Sequence, residues 1–140
     1  MDARRKINGV VFSDLGEASS FMALDWVQQA LQESLGFAPF PATLNVHPKK
    51  AEDLEAWAAV RRDVKGIPLP PVDGGFCAAR LFPVEIYRPP SGPSASVRGA
   101  VLLPEVRDYP KNKIEIVAPV RLKDALDIQD GDQLTLEFVN

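Results

Sequence analysis

The chain is poor in reactive and metal-binding side chains: its 140 residues include one cysteine and one histidine. Cys77 alone cannot form an internal disulfide and fits a reducing compartment. With His47 as the sole imidazole, a structural zinc site lacks its usual ligands. The same histidine, followed directly by Pro48, is a poor member for a nucleophile–base–acid triad. No apolar run approaches a membrane span, and no signal-peptide core follows the charged start Met1-Asp2-Ala3-Arg4-Arg5-Lys6. The expected location is the cytoplasm, with no membrane partner. The net charge of −3 gives no general drive toward nucleic acid, so none is expected as a partner. The chain has no G-x-x-x-x-G-K-[ST] loop, which excludes a P-loop kinase, no G-x-G-x-x-G after a strand and no G-x-S-x-G elbow. Any catalysis then rests on positioning and electrostatics rather than on a covalent nucleophile.

What is present fits one soluble globular domain spanning residues 1–140. Apolar content of 46% and charged content of 25% are ordinary, and this length buries enough surface to need no staples. Thirteen prolines and nine glycines imply many turns. Strands are expected at Ile7–Phe12, Thr43–His47, Val97–Leu103, Ile114–Val117 and Gln133–Val139. One or two more lie within Phe76–Tyr87, broken near Pro83, and a short one at Phe21–Leu24. A helix is expected from an Asp25 N-cap to Leu35, with Val27, Ala30, Leu31 and Leu35 at helical spacing and Gly36 as its C-cap glycine. A second covers Glu52–Arg62, with Leu54, Trp57, Ala58 and Arg61 on one stripe, and a short third covers Val120–Leu126. Ile67–Pro71 reads as a stiff connector and Arg88–Ser96 as a mobile surface loop. Many short strands with few short helices imply a mainly β protein, a barrel with two or three covering helices.

Within Gly36-Phe37-Ala38-Pro39-Phe40-Pro41-Ala42-Thr43-Leu44-Asn45-Val46, two prolines stiffen a loop before a strand. That strand points Thr43 and Asn45 to one face. A hydroxyl and an amide carbonyl are neutral hard-oxygen ligands suited to Mg²⁺ held mostly through water and phosphates; the alternative is a solvated face. The loop Leu15–Ser20 follows the first strand, and its small residues Gly16, Ala18, Ser19 and Ser20 let backbone N–H groups approach phosphates, or else form a plain polar connection. Glu115 interrupts an apolar strand, either on a solvated face or as an acceptor for ligand hydroxyls. Arg121 and Lys123 are surface cations or phosphate or base contacts; Asp130 and Asp132 resemble metal ligands, but Asp-Gly-Asp before a strand reads as a turn.

The order of these pieces resembles the archaeal-type, CTP-dependent riboflavin kinases. The likeness rests on the Leu15-Gly16-Glu17 loop, Pro39-Phe40-x-x-Thr43-Leu44-Asn45-Val46 and Glu115-Ile116-Val117-Ala118-Pro119-x-Arg121-Leu122, and runs from about Gly9 to Phe138. The resemblance implies a compact six-stranded cradle-loop barrel that moves the terminal phosphate of CTP to the 5′-hydroxyl of riboflavin, giving FMN and CDP. By position, Leu15, Gly16, Glu17, Ala18, Ser19 and Ser20 together with Val120, Arg121, Leu122 and Lys123 would hold the nucleotide. Thr43 and Asn45 would hold Mg²⁺. Glu115 would contact the flavin's ribityl chain and orient the attacking hydroxyl, with Arg107 also on the flavin side. A monomer is expected, with small molecules as partners. The chain departs from the family at four places. The family loop Gly-Leu-Gly-Glu-Gly is Asp14-Leu15-Gly16-Glu17-Ala18 here, the glycine before Thr-Leu-Asn is Ala42, and a threonine near the flavin is Arg107. A barrel of this fold that binds flavin or nucleotide without chemistry is the alternative function, and a DNA-binding or interaction barrel the third.

Overall fold

Alternating inward and outward side chains on short strands close this chain into a barrel. The computed structural model describes residues 5–13, 24–69 and 78–139. Over these, the elements in order are β1 (Arg5–Phe12), α1 (Asp25–Leu35), β2 (Leu44–His47), α2 (Ala51–Asp63), β3 (Ile67–Leu69), β4 (Ala79–Tyr87), β5 (Val97–Pro104), β6 (Ile114–Val117), α3 (Leu122–Ala125) and β7 (Gln133–Phe138). The sheet order is β3-β4-β5-β6-β2-β1-β7, and β4 also pairs with β7. That second pairing closes six antiparallel strands into a barrel and leaves β3 as a seventh strand on the side of β4. Closure removes the free edges an open sheet would leave.

The period-two pattern decides what faces inward. Ile7 and Val11 of β1, Val46 of β2, Phe82, Val84 and Ile86 of β4, Ile114 and Ile116 of β6 and Leu134 and Leu136 of β7 share one buried core. Trp57 and Val60 of α2 enter the same core. The indole lies 6.1 Å from the Phe82 ring and 6.2 Å from that of Phe138, so α2 stops one end of the barrel with an aromatic cluster. A second cluster forms outside the barrel. Val27 and Leu31 of α1 cover Ala79, Leu81, Ala100, Leu102 and Val117 on the outer faces of β4, β5 and β6. Trp26 and Leu35 pack against its margin.

Several expectations need correction. The N-cap of α1 is Leu24, with extended backbone and no side-chain cap; Asp25 is instead the first helical residue, where its carboxylate meets the positive end of the helix dipole. Gly36 does end α1, in the left-handed region at φ 82. The buried face of α2 is Asp53, Trp57 and Val60, turned one position from the expected stripe. Asp53 can be buried because its carboxylate accepts the Asn8 backbone N–H at 3.0 Å. Residues 67–69 form a strand, not a connector: Ile67, Pro68 and Leu69 pair with Leu81, Arg80 and Ala79, and Pro68 is tolerated on this outermost strand. β4 runs unbroken through Pro83. On one side it pairs with β5; on the other it pairs with β3 over Ala79–Leu81 and with β7 over Val84–Tyr87. The Pro83 carbonyl accepts Val139 N at 3.1 Å, so the missing N–H points into the gap between those two partners. Segment 88–96 is tied at both ends, by Arg88 to the Asp127 carbonyl (2.6 Å) and Ser96 Oγ to Glu85 (2.7 Å). The expected strand at Phe21–Ala23 lies outside the described residues. Among the described residues no helix is long and apolar enough to cross a membrane.

Candidate functional site

β6 is an apolar strand with one carboxylate, and the register decides what that carboxylate meets. Glu115 pairs with Leu102 of β5 on one side and Asn45 of β2 on the other, and Asn45 pairs in turn with Phe12 of β1. These four residues form a row across the outer face, because their neighbours Val46, Ile114 and Ile116 fill the interior. Glu115 is 9% exposed and Asn45 7%, so neither lies on a solvated face. Directly opposed antiparallel residues hold their Cβ atoms about 5 Å apart. A buried carboxylate and a buried amide therefore stand side by side on the wall.

Their hydrogen bonding differs. Glu115 Oε2 accepts the Tyr109 hydroxyl at 2.8 Å, and its Oε1 lies 3.8 Å from Lys113 Nζ. Asn45 Oδ1 is buried with no hydrogen-bond partner among the described residues. A buried amide oxygen can accept from a donor or ligate a cation. A hard divalent cation takes such an oxygen readily. Thus Asn45 fits the Mg²⁺ role, with Thr43 two residues before it. Among the described residues no three His, Cys, Asp or Glu side chains gather as a ligand cluster.

A cavity of about 140 Å³ opens where the start of β2 and the end of β6 meet the chain that leads into α3. Thr43, Ile116, Ala118, Val120, Arg121 and Lys123 are among its lining residues. The Phe40 N–H bonds the Ala118 carbonyl at 2.7 Å and holds the two flanking segments together. At the rim, Asp130 Oδ1 accepts Ser13 Oγ at 2.9 Å and Lys123 Nζ at 3.1 Å, while Lys123 also reaches Ser13 Oγ at 3.1 Å. The Ser13 hydroxyl, followed by the Lys123 ammonium, holds the Asp130 carboxyl below its ordinary value. The turn carrying Asp130 is docked on β1 through Val11 N to Asp132 O and Gly131 N to Val11 O, at 2.9 and 2.8 Å. Lys123 is thus held at the point where the chain leaves β1 toward residues 15–20. Arg121 instead pairs with Asp124 at 2.7 Å within the first turn of α3.

Of the residues singled out from sequence, the fold brings Thr43, Val120, Arg121, Leu122 and Lys123 around one cavity and pairs Asn45 with Glu115 in register, neither of which lines that cavity. Thr43 itself precedes β2 rather than opening it. Arg107 is exposed in the turn between β5 and β6. Leu15, Gly16, Glu17, Ala18, Ser19 and Ser20 lie outside the described residues. Sequence reasoning missed Tyr109, Lys113, Ser13 and Asp130 as members of the site. Tyr109 carried the one available signal, a lone aromatic in the polar stretch between Pro104 and Lys113.

The chain is a closed antiparallel barrel with a cavity, lined in part by Arg121 and Lys123, at the end of two of its strands. The chain belongs to the CTP-dependent riboflavin kinase family: the family's sequence model, described as "Domain of unknown function DUF120", matches residues 11–138. The chain is 35% identical to the riboflavin kinase of Aeropyrum pernix, over 94% of each chain. It is 34% identical to that of Pyrobaculum aerophilum and 37% to that of Pyrobaculum calidifontis, covering 96% and 94% of this chain. The chain spans only 60% and 59% of the length of those two relatives.

Proposed function

We propose that this chain transfers the terminal phosphate of CTP to the 5′-hydroxyl of riboflavin. The observation that carries the reading is the opposed pair Asn45–Glu115: a buried amide oxygen with no partner among the described residues, in register with a tethered buried carboxylate. The riboflavin kinases it resembles support the reaction class, and this geometry is compatible with it. Asn45 and Thr43 would hold Mg²⁺, which when bound neutralises the charge on the phosphates. Lys123, Arg121 and the backbone of 120–123 face the phosphate or base side of the nucleotide. The riboflavin hydroxyl oxygen forms the new bond to the γ-phosphorus, and the bond to the bridging oxygen breaks with its electron pair leaving on CDP. The hydroxyl proton passes to the Glu115 carboxylate. No covalent enzyme intermediate is required.

The test is direct. Purified protein is incubated with riboflavin, Mg²⁺ and either CTP or ATP, and FMN is sought by chromatography. FMN with CTP supports the full reading. FMN with ATP alone keeps the kinase and overturns the donor. No FMN from folded protein overturns the kinase, and flavin binding without turnover would then identify the barrel as a binding module.

A further inference from the structure

Burying a carboxylate among apolar strands is costly unless each oxygen is accounted for. The in-register neighbours of Glu115 do little for it: the Leu102 side chain has no polar atom, and no side-chain hydrogen bond joins Asn45 to Glu115. Among the described residues, the polar partners of Glu115 come instead from the segment joining β5 to β6. The Tyr109 hydroxyl is 2.8 Å from Oε2, a full hydrogen bond. Lys113 Nζ is 3.8 Å from Oε1, inside ion-pair range but too long for a hydrogen bond. That ammonium also lies 6.0 Å from the centroid of the Tyr109 ring, so the three side chains form one cluster. The two carboxylate oxygens are therefore not equivalent. Oε2 is committed to a protein donor, whereas Oε1 keeps an acceptor position for an incoming hydroxyl, with a cation near enough to balance its charge.

We propose that Tyr109 is a positioning residue: it fixes the Glu115 carboxylate by one oxygen so that the other is presented to the acceptor hydroxyl. Its role rests on the kinase reading; its geometry does not. Without the phenol, the carboxylate is free to turn toward Lys113 and lose that presentation. Misplacement of a reacting group by about 1 Å lowers turnover about a hundredfold. Tyr109→Phe keeps the ring and removes only the donor.

The experiment is a kinetic cycle of wild type, Y109F, E115Q and Y109F/E115Q, with thermal melts showing that each variant is folded. For Y109F the expected result is a fall in kcat of about 10- to 100-fold with the KM for CTP unchanged. In the E115Q background the same change should cost nothing further, because Tyr109 acts through Glu115. Folded Y109F with undiminished kcat overturns the proposal. So does an equal loss in both backgrounds, which would mark an independent structural role. No FMN from wild type overturns the kinase reading and this role with it, whereas FMN from wild type and equally from Y109F overturns the role alone.

Discussion

At the scale of single residues, the site is built on what each polar atom lacks. Asn45 Oδ1 is buried with no partner among the described residues, so Asn45→Ala breaks no hydrogen bond of that oxygen. The variant should retain its melting temperature within a few degrees and lose Mg²⁺-dependent FMN formation by at least about 100-fold. Unchanged turnover would remove Asn45 from the cation site. Asp130 presents the opposite case, an exposed carboxylate with two donors. Its lowered pKa comes first from the Ser13 hydroxyl and then from Lys123. A carboxyl whose folded value is depressed stabilises the folded state above its unfolded value, ordinarily 3.8, and loses that contribution as pH falls through the folded value. The clasp is thus intact at neutral pH and opens only in acid. Ser13→Ala should move the Asp130 titration midpoint upward toward 3.8, read by NMR of the side-chain carboxyl. A midpoint that stays put would mean that Lys123 alone sets it.

Elements divide the labour between holding the barrel and shaping its wall. α2 closes one end with Trp57, whose Nε1 is buried and unpartnered among the described residues. Truncation to alanine and replacement by the smaller phenyl ring should diverge. Trp57→Ala empties the aromatic cluster with Phe82 and Phe138 and should cost about 3–5 kcal/mol. Trp57→Phe also removes the unsatisfied N–H, which offsets part of the lost packing, and should cost about 1–2 kcal/mol. Urea denaturation of both variants measures the difference, and equal losses would show that an aromatic ring at this position contributes no packing. α1 has the complementary task. By covering Leu102 and Val117 on the outer faces of β5 and β6, it excludes water from the wall that carries Glu115. The β5–β6 connection then completes that wall with Tyr109 and Lys113. A strand, a helix and a loop thus meet at one carboxylate.

For the whole molecule, closure is the dominant fact. The ring β4-β5-β6-β2-β1-β7 returns to β4 and leaves no pair of barrel strands able to separate alone. Trp57 sits inside the barrel and Trp26 at the edge of the outer cluster. Tryptophan fluorescence and far-ultraviolet circular dichroism should therefore report one coincident urea transition. Two separated transitions would show that α1 and its outer cluster unfold independently of the ring.

Much of this was legible in the amino-acid order. Ile114–Val117 was readable to the residue because four apolar-rich residues lie between a polar segment and a proline. α1 was readable from its apolar spacing and from Gly36, which only a left-handed C-cap required. The strand at Ile67–Leu69 was not, because Pro68 reads as a breaker until the partner Arg80 places it on an outermost strand. Nor was Pro83, whose missing N–H is harmless only where two strands share one side of β4. By itself the sequence determined the class of fold, the family, and the residue types available for chemistry, since periodicity and motif spacing are properties of neighbours along the chain. Tertiary structure alone decided that Glu115 faces Asn45, that Tyr109 holds it, and that Lys123 meets Ser13 across 110 residues. Those contacts depend on strand register and barrel closure, which bring together residues that no local pattern links.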